Sequence, residues 1–408
     1  MRRGDAPGTQ RRPFFSDDAR MLLGLFLPIY AMHCVEQVYF VYGNVLQGYG
    51  LPPQTTGLIL GSFFVSIMLT RPLGGWLLEG FGIRRTLILS SVTGFVGCSV
   101  LFATRSVPML FLGRILAGAS FGVYTMALFS HLALSVPERV RGASFALAIS
   151  GGILPTATIT PLGEWLIARS QIGMFLALGP MLCVVCWFLG RRVGSDAVRK
   201  GEGDSAEGDW GRYRDLLSCK PFMFLIVTGL MISLTDAVVV CMSLFTAEHN
   251  IVASWFLATS SVAGIVVRVP GSRIMNTLPR QLVLAPCGML MAGAVFMVSV
   301  FPSVGTFICG GILFGIGIGA GFPMMISMVS DTLPQSLIPK GTAVLLSLYD
   351  LGWFVTPFLV GLATPIIGIA WTFRLLTALS FAALALLVFM YWLPFWMAGR
   401  PKKAPSHV

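Results

Sequence analysis

Residues 21–43 read MLLGLFLPIYAMHCVEQVYFVYG, an apolar run interrupted by one acid, Glu36, and one imidazole, His33. At ~1.5 Å of helical rise per residue, such a run crosses a hydrocarbon core of ~30 Å. No backbone amide can stay unpaired in lipid, so a crossing segment of this kind is a helix. Arg2, Arg3, Arg11, Arg12 and Arg20 precede the run. The run is too long for a signal core and lacks a small-residue cleavage site, so it reads as a first span and not a cleaved leader.

Runs of the same kind recur to the other end, as at Leu379–Leu393. Of the 408 residues 55% are hydrophobic and 11% charged, against about 25% charged in soluble domains. The expected spans are 21–43, 55–78, 86–104, 108–130, 142–167, 172–190, 221–245, 253–275, 281–301, 304–330, 341–363 and 372–397. This is an all-α integral membrane chain of 12 transmembrane helices, with the lipid bilayer as its main partner.

Basic residues gather in alternate connections: Arg84 and Arg85, then Arg139 and Arg141, then Arg191 to Lys220, and finally Arg400 to Lys403. Opposite them fall only Arg105, Arg169 and Arg374. That asymmetry places both termini in the cytoplasm. The net charge of +11 is therefore a topology signal, and no nucleic acid is implied. The eight cysteines are scattered. Cys183 and Cys186 form a CxxC inside an apolar run and read as packing.

The chain also repeats itself. A shift of 197 positions places Arg71 on Arg268, Pro137 on Pro334, and Gly113, Gly118 and Gly122 on Gly310, Gly315 and Gly319. Residues 193–220 break the apolar pattern between the copies. The expected organisation is an N-tail (1–20), a six-helix bundle (21–192), a linker (193–220), a second six-helix bundle (221–398) and a C-tail (399–408). Parallel repeats of this kind belong to transporters whose halves rock about a central site.

Gly75-Trp-Leu-Leu-Glu79-Gly-Phe-Gly82-Ile-Arg84-Arg85 resembles the signature Gly-x-x-x-Asp-basic-x-Gly-basic-basic of the major facilitator superfamily. Glu79 stands where that family has Asp, while Gly80 and Ile83 replace basic residues. Arg114-Ile-Leu-Ala-Gly118 is similar to the family's Arg-x-x-x-Gly element, associated with proton coupling. Gly152, Pro155, Pro161 and Gly163 loosely resemble the Gly-Pro element of its antiporters. The resemblance covers residues 21–397. It implies two pseudo-symmetric bundles, alternating access, a gating role for Gly75, Glu79, Gly82, Arg84 and Arg85, and a non-enzymatic function.

A charge in hydrocarbon costs at least ~2.5–3.5 kcal/mol, so each one inside a span is a functional candidate. Glu36, Arg114, Asp236 and Asp350 qualify. Glu36 lies ~10 Å from the outer end of its span and Arg114 ~9 Å from the outer end of another. A nearby arginine holds a carboxylate ionised, and one that withdraws lets it take a proton. The alternative is a static ion pair joining two helices. His33 shares a helix face with Glu36, and Asp236 is the mate of Glu36 at a shift of 200, so both join the proton-coupling candidates. Tyr30, Gln37, Tyr39, Tyr349 and Asp350 are candidates for the substrate cavity, Asp350 alternatively as partner of a cytoplasmic basic residue. Glu79, Glu164, Glu248 and Asp331 lie near span ends, where solvated or capping roles are expected.

No phosphate-binding Gly-x-x-x-x-Gly-Lys-Ser/Thr occurs, and histidines 33, 131, 249 and 407 stand in separate segments. ATP drive, a resident metal and a cofactor are thus not expected. The expectation is a monomeric proton-coupled transporter exporting a small organic solute, with an uptake symporter as rival. Short connections suit a bacterial inner membrane.

Overall fold

A computed structural model describes residues 17–135, 149–193, 213–275, 280–334 and 337–389. Most of the expected tails and linker, Pro137, Arg141 and the Glu79 side chain lie outside the described residues.

α1 (Asp17–Gln37) passes through a 3-10 stretch (Val38–Val41) into α2 (Tyr42–Gly48), forming span 1. α3 (Pro53–Ala103) carries spans 2 and 3, and Gly82 divides it at φ 73°, ψ 166°. That conformation is strained for residues with a Cβ, which is why glycine stands at the turn. Spans 4, 5 and 6 follow as α4 (Val107–Ser135), α5 (Pro155–Ala168, preceded by helical residues 149–153) and α6 (Ile172–Arg192).

The short α7 (Tyr213–Ser218) leads into the second half. There α8 (Lys220–Asp236), a 3-10 stretch (Ala237–Cys241) and α9 (Met242–His249) form span 7. Spans 8 to 12 are α10 (Ser254–Met275), α11 (Arg280–Val300), α12 (Val304–Thr332), α13 (Ile338–Ile367) and α14 (Ile369–Leu387). Among the described residues, ten segments are long and apolar enough to cross a membrane, and Ser254–Arg268 is a shorter apolar one. α5 completes the twelve passes.

The repeat seen in the sequence is a repeat of contacts. A Cβ on Gly113 would meet Gly97 and Leu101, while one on Gly310 would meet Ala294 and Val298. Gly118 abuts the backbone of Phe63, and Gly315 that of Ser260. All these partners differ by the same 197 positions, so both halves cross their helices at the same places. Large apolar side chains such as Leu69, Leu89, Phe188, Ile366 and Phe389 are exposed. With no charge among them, they form the belt that faces lipid.

The connections at 49–52, 169–171, 250–253 and Gly368 share one rim, here called far. The Gly82 turn and α7 lie toward the opposite, near rim. The halves are locked along the far side. Gly57 lies against the Pro357 backbone, Gly361 against that of Pro53, and Ser243 Oγ donates to Phe40 O at 3.2 Å.

Candidate functional site

Burying a charge in a membrane core demands compensation from a specific partner, so the buried ionisable groups mark the site. Glu36, Arg114, Asp236, Arg268 and Asp350 are all buried. They fall into three groups.

The first group bridges the halves. Arg71 of span 2 pairs with Asp350 of span 11, Nη1 to Oδ2 at 2.7 Å. The Asp350 carboxylate is largely covered, while the Arg71 side chain stays 35% exposed. Glu36 of span 1 feels the charges of Arg71, Asp350 and Arg114, and Arg71 also acts on His33. Asp350 is the acid that pairs with Arg71, and that pair joins the two halves. Of the two roles open to Asp350 in the sequence, the structure shows the pairing with a basic residue.

The second group is Arg114, which forms no ion pair with Glu36. Its Nη2 donates to Leu60 O at 3.3 Å, and its guanidinium lies 4.5 Å from the Phe63 ring centre and 5.5 Å from that of Tyr39. Arg114 therefore faces into the first half's own core. Tyr39 does the same: its ring packs on Tyr42 and Phe175, away from the seam between the halves.

The third group belongs to the second half. Tyr349 Oη donates to Asp236 Oδ2 at 2.5 Å, and the Tyr349 ring meets Phe322 edge-on at 5.1 Å. Arg268, the repeat mate of Arg71, is the cation that acts on Asp236. It donates through Nε to Gly319 O at 3.1 Å. The two mates have diverged, one reaching across the halves and the other staying inside its own.

The remaining candidates lie on span 1, and two of them bind it to span 5. Gln37 donates to Gly152 O at 2.6 Å and accepts from Thr156 Oγ1 at 2.8 Å, so its amide is held at both ends. Tyr30 Oη lies 2.8 Å from Thr158 Oγ1. The His33 Nδ1 atom is 2.8 Å from Ile29 O, and Phe121 stacks edge-on against the ring at 5.0 Å. Trp353 packs against Phe40 and Phe64, an aromatic contact across the halves. Within the gating motif, Gly82 makes the turn and Arg84 and Arg85 are exposed. Among the described residues, no three His, Cys, Asp or Glu side chains converge as a metal would require.

Sequence reasoning misses one residue of the site. Arg71 reads there as a landmark of the repeat and of topology, although its identity with Arg268 is the signal that could have marked it.

A family model described as Major Facilitator Superfamily matches residues 14–251 and again 238–406. "Probable anion transporter 5" of Arabidopsis thaliana is 28% identical over 186 residues, 43% of this chain and 42% of its own length. Facilitated glucose transporter member 10 of Mus musculus is 30% identical over 109 residues, 26% of this chain and 20% of its own length. These matches span less than half of the curated relatives. A POT family transporter crystallised with 5-aminolevulinic acid superposes at TM-score 0.74, 12% identity, over 91% of this chain and 96% of that one. A D-xylose–proton symporter superposes at 0.72, 13% identity, over 90% and 95%. At such identities the likeness is one of fold.

Proposed function

The chain belongs to the Major Facilitator Superfamily, and from that premise we infer a proton-coupled secondary transporter that exports a small organic solute by alternating access. The observation that carries the coupling is the Arg71–Asp350 pair, joined across the seam within electrostatic reach of Glu36. When Asp350 takes a proton, Arg71 loses its partner across the seam and is left to Glu36, and the pair that ties the halves weakens. Proton uptake and opening of the near side thereby become one event. In this reading Glu36 works with Arg71, rather than with Arg114, as the switching cation.

Arg71 also supports a solute bearing an anionic group. Its half-exposed guanidinium can accept a carboxylate in place of Asp350, with bidentate geometry. The anion transporters among the relatives agree with that class. Asp236, held by Tyr349, is the corresponding acid of the second half. The exporting direction rests on the Gly-Pro pattern of span 5, and the protein works in a bacterial inner membrane with the far rim outward.

The test works with a solute not yet identified. Protein is reconstituted into liposomes containing the pH dye pyranine, and organic anions, sugars and short peptides are added outside one at a time. Exchange of solute for protons makes the lumen alkaline, whereas symport makes it acidic. The expected result is alkalinisation by an organic anion, lost in Asp350→Asn and Glu36→Gln while solute–solute counterflow survives. Solute entry with no dye response would refute proton coupling, and acidification would reverse the direction.

A further inference from the structure

The far rim holds a contact that the transport reading does not use. Glu164, near the end of α5 in the first half, places its carboxylate on the start of α10 in the second. Oε1 accepts from the Ala253 amide at 2.6 Å, and Oε2 accepts from the Ser254 amide at 2.9 Å and from Ser254 Oγ at 2.5 Å. The first amides of a helix have no partner inside it and carry the positive end of its dipole. Here the helix is capped by a carboxylate from the opposite bundle.

The cap holds more than one helix. Asn250 closes α9 in the left-handed conformation, φ 53°, and its amide bonds back to Thr246 O. Residues 250–253 then turn directly into α10. Spans 7 and 8 thus meet as a tight hairpin, and Glu164 grips that hairpin at its bend. Deeper along the same seam, Ser261 Oγ donates to Ile153 O at 2.8 Å. That bond is neutral, whereas the three at the rim are charge-assisted and correspondingly stronger.

We propose that Glu164 is a gating residue of the transport cycle: its carboxylate, capping α10 across the halves, latches the far rim shut and must leave Ala253 and Ser254 before that rim can open. The role rests on alternating access as the mode of transport. When the latch opens, water replaces Glu164 on the α10 amides, so the device is reversible and consumes no chemistry.

The experiment reads opening directly and needs no solute. Ser243, fully buried at the seam, is replaced by cysteine, and a water-soluble maleimide is applied to the protein in nanodiscs. Labelling is scored against the same protein lacking that cysteine. Glu164→Gln keeps the shape and removes the charge; labelling of Ser243→Cys is expected to rise about tenfold, as for loss of a charge-assisted bond. Ser254→Ala, which deletes one of the three donors, should raise it less. An unchanged rate in Glu164→Gln, with an unchanged melting temperature, would overturn the latch and leave transport standing. Absence of labelling in every variant would overturn alternate opening of this rim, and the latch with it. As an independent arm, Glu164→Cys with Ser254→Cys should form a disulfide on oxidation that abolishes labelling until reductant is added. Persistent labelling of the cross-linked protein also counts against the latch.

Discussion

At the scale of single residues, Arg114 is the instructive case. Residue counting places it level with Glu36, but span 1 runs on to Gly48, twelve residues past Glu36, whereas Arg114 is seven from the start of its helix. Rise per residue is constant, so depth is only as legible as the ends of the span. The direction a side chain takes around the axis depends on neighbours distant in sequence, and Arg114 turns toward Phe63 and Tyr39. A place over two rings together with a bond to a carbonyl suits a guanidinium better than an ammonium. Arg114→Lys is therefore expected to fold but to lose about 1–2 kcal/mol, read as a lower melting temperature in detergent. Transport should slow in parallel with the stability loss rather than lose its proton dependence. Selective loss of proton coupling in a variant of unchanged stability would restore Arg114 to the coupling machinery. Arg71 shows the converse: its type and position are plain in the sequence, yet its role needs Asp350, which lies 279 residues further along.

At the scale of elements, the long helices and their ends are legible from apolar runs and basic flanks, while the interruptions of spans 1 and 7 are not. Val38–Val41 and Ala237–Cys241 contain no Pro or Gly, the residues that usually announce a break. The cause is lateral. Thr160 Oγ1 of span 5 donates to Gln37 O at 2.9 Å, and Thr356 Oγ1 of span 11 donates to Leu234 O at 2.9 Å. A side-chain donor on these carbonyls offsets what the backbone loses when the helix tightens to 3-10 geometry. Both interruptions closely follow an acid, Glu36 or Asp236, so each span departs from α geometry beside its buried charge. Thr160→Val and Thr356→Val keep shape and remove the donor. Each is expected to cost about 1 kcal/mol and to slow transport more than that loss of stability implies. Melting curves and flux measured on the same preparations would separate the two; unchanged flux would mean that the interruptions do not move in the cycle.

At the scale of the whole molecule, the duplication is readable because it leaves landmarks in register, and the matched crossings of Gly113 and Gly310 bear it out. The seam between the halves is not readable, because no repeat relates one half's surface to the other's. Its far side depends on close backbone approach. A Cβ on Gly57 would run into the Pro357 carbonyl oxygen, and one on Gly361 into that of Pro53. Gly57→Val should therefore destabilise the closed far rim without touching the core of either half. Overpacking of that kind costs about 2 kcal/mol, roughly 30-fold in the ratio of closed to open forms. The resulting protein is expected to melt as a folded transporter, to bind maleimide at Ser243→Cys much faster than its parent, and to transport poorly because the closed form is rarely reached. Gly173→Ala is the proper control, since that glycine lies near the same rim and has nothing within 4 Å of its added Cβ. If Gly57→Val left labelling and flux at parental values, spans 2 and 11 would have room to give, and closure would depend on the contacts around Glu164 and Ser243 instead.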